Sequence, residues 1–301
     1  MSSGMGWILD NPYTLVERLG IAQSLGTSIE EVELLAHGQI GEVYKLTTPK
    51  ETFVLKVTES TNALQIETKM LRDMQGHDIA VPDVIGVSWP NEQPAFMVME
   101  YIEPHHYTQT EQEQMAAKLL CKLHRVTNDA RMYGYWYDTT IGPFPQHNEQ
   151  TQYNWGLFLG EMRIMPMARI CYEKGLLSKT MFQGLETLSR DLYRHLNLLS
   201  ITPSLIHGDL WQGNLCFGKE GAVLIDPALY FADREMELAF LRMFNTFGET
   251  FWQTYTEEFP LSKSFEEVKL PLYQIYPQLV HAALYGPHYL SSLPAVLKRF
   301  A

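Results

Sequence analysis

The chain has 301 residues, 46% of them hydrophobic and 19% charged, which is enough for a well-filled core and roughly two domains. Lys and Arg total 23 against 35 Asp and Glu, a net charge of −12. That argues against a general nucleic-acid binder but not against a nucleotide enzyme, whose phosphate pocket needs only local positive charge. The three cysteines, Cys121, Cys171 and Cys216, form no zinc spacing and no disulfide framework, and read as apolar fillers in a reducing compartment. Met1 to Gly6 carries no leader pattern, and no window approaches ~18 uninterrupted apolar residues. A cytoplasmic protein with no nucleic-acid or membrane partner is the expectation.

Taken in chain order, Asn11 to Leu25 has helical spacing, with Leu15, Leu19 and Ala22 on one face. Glu42 to Thr47 and Thr52 to Val57 are short β-branched or aromatic runs around Thr48-Pro49-Lys50-Glu51, the pattern of a hairpin. Asn62 is placed to cap a helix to about Gln75, with Ile66, Met70, Leu71 and Met74 inward. Pro82 opens an extended stretch, and Ala95 to Tyr101 is apolar enough for a buried strand. Beyond Pro104 helical spacing dominates, over Glu111–Arg125, Tyr153–Lys174, Ser178–Leu199, Glu235–Glu258 and Phe265–Leu284. One island interrupts it, Leu205 to Pro227, where two extended runs flank Gly218-Lys219-Glu220-Gly221. The expectation is an α+β chain, with a small sheet-rich lobe over residues 1–102 and a larger helical lobe over 103–301.

The chemistry concentrates in His207-Gly208-Asp209-Leu210-Trp211-Gln212-Gly213-Asn214 and, one hairpin later, Val223-Leu224-Ile225-Asp226-Pro227. Asp209 suits a base that accepts the proton of an attacking hydroxyl. Asn214 and Asp226 supply hard oxygen ligands for Mg²⁺ on nucleotide phosphates. Lys56 stands in the apolar run Phe53-Val54-Leu55-Lys56-Val57, where a lysine needs a partner. Contact with the α- and β-phosphates of ATP, with Glu67 of the next helix holding the lysine, satisfies that need. Ahead of it, Ala36-His37-Gly38-Gln39-Ile40-Gly41-Glu42-Val43 is a turn whose Gly38 and Gly41 allow backbone amides to approach phosphate. No Gly-Lys-Ser/Thr follows, so this is not a P-loop. Met97 to Ile102, ending in Glu100, Tyr101 and Ile102, is the candidate linker for the adenine edge, with a plain core strand as the alternative. His37 reads as an exposed loop residue, His124 as a hydrogen-bonded core residue and His207 as a brace for the Asp209 loop.

The set Lys56, Glu67, Asp209, Asn214 and Asp226 resembles that of the kinase-like phosphotransferases. Within them, His207-Gly208-Asp209-Leu210-Trp211-x-Gly213-Asn214 resembles the fructosamine kinase (ketosamine-3-kinase) family. Leu119-Leu120-Cys121-Lys122-Leu123-His124 with Tyr133-Gly134 is similar to that family, as are Asp138-Thr139-Thr140-Ile141-Gly142 with Pro145-Gln146-x-Asn148, and Asp226-Pro227-Ala228 leading to Glu235-Met236-Glu237-Leu238-Ala239. The phosphate turn departs from it, because many members read Gly-Gly-Gly-x-Ile-Asn/Ser. The resemblance implies a bilobal protein-kinase-like fold, a small antiparallel-sheet N-lobe and a larger helical C-lobe. It also implies phosphorylation by ATP and Mg²⁺ of the 3-hydroxyl of a ketoamine (a ribulosamine, erythrulosamine or fructosamine adduct), free or on a glycated protein lysine, as a deglycation repair. Gln146 and Asn148 are candidates to line the acceptor pocket. Trp211 either stacks on the acceptor or packs under its loop. Competing readings are an aminoglycoside- or choline-type kinase and a nucleotide-binding pseudokinase.

Overall fold

The computed structural model describes residues 11–38, 41–60, 62–90, 92–148, 154–196 and 201–301. The chain divides into two compact units. The first runs up to Gln75 and includes Val81–Glu103; the second comprises Gly76–Ala80 and Pro104–Ala301.

In the first unit, α1 (Pro12–Arg18) and α2 (Ile21–Leu25) precede β1 (Glu31–His37), β2 (Gly41–Thr47) and β3 (Thr52–Thr58), then α3 (Ala63–Gly76), β4 (Val84–Val87) and β5 (Ala95–Glu100). The strands form one antiparallel sheet in the order β1-β2-β3-β5-β4. The alternation expected for the hairpin holds. Tyr44, Leu46, Phe53, Leu55 and Val57 pack with Leu15, Val16, Ile21 and Val98 in one cluster under the first two helices. The single helix expected over 11–25 is two, because Gly20 takes φ 62° between them. On α3 the buried side chains include Leu64, Thr68, Met70, Leu71 and Met74, while Ile66 is only partly buried. Gln39 and Ile40 of the phosphate turn lie outside the described residues, as do Met1 to Gly6.

The second unit begins its regular structure with α4 (Gln109–His124), held at its start by a reciprocal capping box between Thr108 and Glu111. A small hairpin of β6 (Thr139–Ile141) and β7 (Phe144–Gln146) follows. Next come α5 (Trp155–Phe158), a π-helical segment Leu159–Ile164, α6 (Met165–Glu173) and α7 (Lys179–Leu196). The expected helix start at Tyr153 and the stretch 197–199 lie outside the described residues. β8 (Pro203–Ile206) pairs with β11 (Tyr230–Asp233), and between them β9 (Leu215–Gly218) and β10 (Gly221–Leu224) form the hairpin expected around Gly218–Gly221. Then come α8 (Arg234–Met243), α9 (Glu249–Glu258), a π segment Phe265–Lys269, α10 (Leu270–Tyr273), α11 (Ile275–Tyr285) and α12 (Leu293–Phe300).

The expected helix 235–258 is broken between Phe244 and Gly248, with Asn245 at φ 49°. Phe240, Phe244, Phe247 and Phe251 continue a helical stripe across the break, and that stripe hid it from periodicity. The stretch 265–284 restarts twice, near Pro271 and Pro277, which lack the amide hydrogen an unbroken ladder needs. No helix among the described residues is long and apolar enough to cross a membrane.

One buried acid organises α9. Glu113 on α4, 5% exposed, accepts from Gly248 N–H at 3.0 Å and Phe251 N–H at 3.2 Å, which satisfies two amides of the helix start. Glu113→Ala should cost roughly 1–3 kcal/mol, the range for leaving buried donors unpaired, and should lower the thermal midpoint. Glu113→Gln, which keeps an acceptor oxygen, should recover part of the loss. Equal melting of wild type and Glu113→Ala would refute this role.

Candidate active site

In the first unit, β3 delivers Lys56 and α3 delivers Glu67. The lysine Nζ lies 2.6 Å from Glu67 Oε1, with side-chain exposures of 11% and 16%. A strand lysine this sheltered needs the carboxylate, and the expected pair is present. Val43 stands opposite Lys56 across the β2–β3 ladder. Gly41 is required by close approach, since a Cβ there would meet Val57 O at 1.9 Å. Gly38 donates its N–H to Gly41 O at 2.7 Å and closes the turn. His37 and Glu42 are a cross-strand pair, with His37 Nδ1 3.3 Å from Glu42 Oε1 and Tyr44 Oη donating to Glu42 Oε2 at 2.5 Å. His37 is therefore exposed, as expected, but sits on the face of Tyr44 and Leu46 rather than that of Lys56. Glu100 ends the β5 ladder and accepts from Asp83 N–H at 3.2 Å. Tyr101 and Ile102 follow the strand, and Lys45 Nζ stands 4.7 Å over the Tyr101 ring.

In the second unit, β8 ends at Ile206 and releases the loop His207–Asn214. His207 is fully buried. Its Nδ1 accepts from Asp209 N–H at 3.3 Å, so its Nε2 carries the hydrogen and donates to Ile225 O at 2.8 Å. Burial pushes its pKa down and keeps the ring neutral, which this tautomer requires. Gly208 has φ 84°, and a Cβ there would meet Ala228 O at 2.2 Å, so no other residue fits.

Behind the loop lies Glu237 of α8, 1% exposed. It accepts from His207 N–H at 3.1 Å, Gly208 N–H at 2.8 Å and His124 Nε2 at 3.1 Å. Burial works to raise its pKa, but the hydrogen bond from His124 and that from the Gly208 amide hold it low. His124 is itself pushed down by burial. Its Nδ1 accepts from Tyr255 Oη at 2.7 Å, and Tyr255 accepts from Arg234 Nη1 at 3.1 Å. The loop thus rests on one donor-to-acceptor chain from Arg234 to Glu237.

The Asp209 carboxyl is pushed up to about 7, first by burial, then by the neighbouring charge of Asp226, with Glu237 adding and the Asn214 hydrogen bond opposing. Asn214 is 5% exposed and turns its Nδ2 to Asp209 O at 2.7 Å. Its Oδ1 is therefore the end available to a cation. Asp226 follows β10 in the left-handed region at φ 55°, a strained conformation of the kind that marks functional positions. One amide oxygen and one carboxylate suit Mg²⁺, which keeps waters and completes its shell from phosphates. Among the described residues no group of three or more His, Cys, Asp or Glu is arranged to hold a metal by itself. Trp211 is 46% exposed and lies on Gly213, where a Cβ would meet its Cη2 at 2.3 Å. It packs on its loop and still offers ring surface to solvent.

Gln146 and Asn148 are placed otherwise than expected. They are 1% and 3% exposed. Gln146 accepts from Thr139 Oγ1 and donates to Tyr276 Oη, and Asn148 donates to Tyr137 O and Thr139 Oγ1 while accepting from Arg163. With polar atoms committed inside, they brace the β6–β7 hairpin and do not line an acceptor pocket. The sequence did not single out Glu237 as the support of the Asp209 loop or Arg163 as the partner of Asn148. The signal for each was a charge on an otherwise apolar helical stripe.

The fructosamine kinase family model matches residues 15–301, so the chain belongs to that family and is a phosphotransferase. A Lactiplantibacillus plantarum protein named "Probable ketoamine kinase" is 28% identical over 93% of this chain and 98% of its own length. A Haemophilus somnus 129PT protein solved under the name "Putative fructosamine-3-kinase" superposes with TM-score 0.82 at 27% identity, covering 94% of this chain and 95% of its own. The aminoglycoside phosphotransferase APH(2")-IIa, solved with streptomycin and ATP, shares the fold at TM-score 0.61 and 17% identity, over 97% of both chains. The fold is thus α+β and protein-kinase-like.

The Asp209 environment has a stability consequence. Its folded pKa lies above the ~3.9 of an unfolded Asp, so the folded state holds the proton more tightly. The group costs nothing below about pH 4 and opposes folding increasingly as pH rises through 7. Asp209→Asn should therefore stabilise the protein by about 1–4 kcal/mol at pH 8, with the gain vanishing near pH 4. Denaturant unfolding at both pH values measures this, and a gain independent of pH would contradict it.

Proposed function

We propose that this fructosamine kinase family member transfers the γ-phosphoryl group of ATP to the 3-hydroxyl of a ketoamine, with the amine free or carried by a protein lysine, as a deglycation repair in the cytoplasm. The observation that carries the reading is the Asp209 carboxyl, on a loop whose backbone is held by a neutral His207 and a buried Glu237, beside Asn214, Asp226 and the half-exposed Trp211 ring. The family match and the ketoamine kinase names of the relatives support the acceptor class. The ATP-bound fold neighbour supports the nucleotide.

In this reading Lys56, steadied by Glu67, orients the α- and β-phosphates, and the turn holding Gly38 and Gly41 offers backbone amides to the phosphates. Glu100, Tyr101 and Ile102 present peptide groups to the adenine. Asn214 Oδ1 and the Asp226 carboxylate hold Mg²⁺. When bound, the ion neutralises charge on the phosphates. Asp209 in its ionised form accepts the proton of the sugar hydroxyl as the new oxygen–phosphorus bond forms and the bond to the departing ADP oxygen breaks. Burial raises the proton affinity of the Asp209 carboxyl, which favours its taking that proton. Trp211 stacks on the sugar or the cationic amine.

A phosphate-transfer assay on ribulosamine, erythrulosamine and fructosamine adducts of lysine, with choline and an aminoglycoside as comparators, should show turnover confined to the ketoamines. Preferred turnover of either comparator would overturn the acceptor assignment. Asp209→Asn should lower kcat about 10²–10⁴-fold, the scale of a lost proton acceptor, with ATP affinity within about threefold of wild type by calorimetry.

A further inference from the structure

Arg163 is a cation that the phosphoryl-transfer reading does not use. It sits in the π-helical segment Leu159–Ile164, is 0% exposed, and has no carboxylate within ion-pair distance among the described residues. Its Nη1 donates to His147 O at 2.8 Å and Met162 O at 3.0 Å, and its Nη2 donates to Asn148 Oδ1. Among the described residues its Nε has no hydrogen-bond partner. Its guanidinium lies 4.0 Å from the Tyr230 ring centroid and 4.7 Å from that of Phe158. Among the described residues this buried charge is met directly by neutral oxygens and ring faces, with the Asp138 carboxylate acting on it from beyond Asn148 without an ion pair. Such a charge is costly, and an apolar side chain of similar volume would fill the space more favourably. What such a side chain lacks is the rigid fork that binds acceptors from two segments while stacking on an aromatic face.

The ring it stacks on leads to the catalytic loop. Tyr230 opens β11 and stands against Gly208, so that a Cβ at 208 would meet Tyr230 Cε1 at 3.2 Å. Tyr230 also pairs with Ile206, the last residue of β8 before the loop. On the other side, the Asn148 that Arg163 fixes receives the β6–β7 hairpin through Thr139, and its N–H is held by Asp138 at 2.9 Å. We propose that Arg163 is a positioning residue for the reaction, holding Tyr230 against Gly208 so that the Asp209 loop keeps one conformation. π-Helical turns recur at functional sites, and here the turn is what carries the arginine inward.

The inference rests on Asp209 being the working carboxylate, and its test has one arm that needs no acceptor. In Arg163→Met, and separately in Tyr230→Leu, amide exchange of the peptide spanning Gly208–Asp209 should accelerate at least tenfold, while α9 exchanges as in wild type. With any acceptor that wild type turns over, kcat should fall at least tenfold with the KM for ATP within about twofold. Arg163→Lys, which keeps the charge but not the plane, should lose about as much rate as Arg163→Met. The two substitutions combined should cost little more than either alone, because both break one contact. Unchanged loop exchange in either folded variant would overturn the proposal, as would faster exchange with unchanged kcat or fully additive losses. Wild type inert toward ketoamines would instead count against the acceptor reading and leave the exchange arm decisive.

Discussion

The second unit is organised around a carboxylate that never meets solvent. Glu237 receives two consecutive loop amides, His207 and Gly208, and a histidine from another helix. Buried amides without partners would cost a few kcal/mol, so the loop has one low-energy path past α8. The same carboxylate is coupled to α4 through His124 and to α9 through Tyr255. Three helices therefore fix where Asp209 leaves the backbone. The polarity of the chain matters as much as its existence. Arg234 donates to Tyr255, which donates to His124, which donates to Glu237, and every ring nitrogen and hydroxyl along it is used once in each role its tautomer allows.

That arrangement puts negative charge close together. Glu237 is ionised and buried against the loop backbone, and both its charge and that of Asp226 act on the buried Asp209 carboxyl. The result is a carboxyl whose proton affinity is raised into the neutral range. This works against folding, as sites built for chemistry often do. A divalent cation at Asn214 and Asp226 would relieve part of the repulsion, so the electrostatic strain and the expected ligand are two sides of one feature.

The lysine pair, the loop and the hairpin were legible because each is a local pattern with a distinctive residue type. Lys56 stood out as a charge in an apolar strand, and Asp209, Asn214 and Asp226 as polar groups around a glycine turn. The helix break at 244–248 and the π segments were not legible, because Phe240, Phe244, Phe247 and Phe251 keep helical spacing through a turn. Gln146 and Asn148 were misplaced for a related reason. An amide side chain reads alike in sequence whether it faces a ligand or a buried hairpin, and only burial separates the two. Glu237 was named only as part of a family-like run, since its partners come from residues 30 and 113 positions away.

Two sheltered cations show how context decides role. Lys56 is balanced by an adjacent carboxylate at 2.6 Å and presents a compact ammonium, which suits the phosphate contact proposed for it. Arg163 has no adjacent carboxylate among the described residues, and its charge is spread over carbonyl oxygens, an amide oxygen and two rings. Exchange of the two residue types would fail in both places. An arginine at 56 would bring a planar fork to a position that pairs with one carboxylate oxygen, and a lysine at 163 would lack the flat face that lies against Tyr230. In the proposed reading the first unit thus uses a point charge where the nucleotide phosphates are met, and the second a rigid plane where backbone is held still.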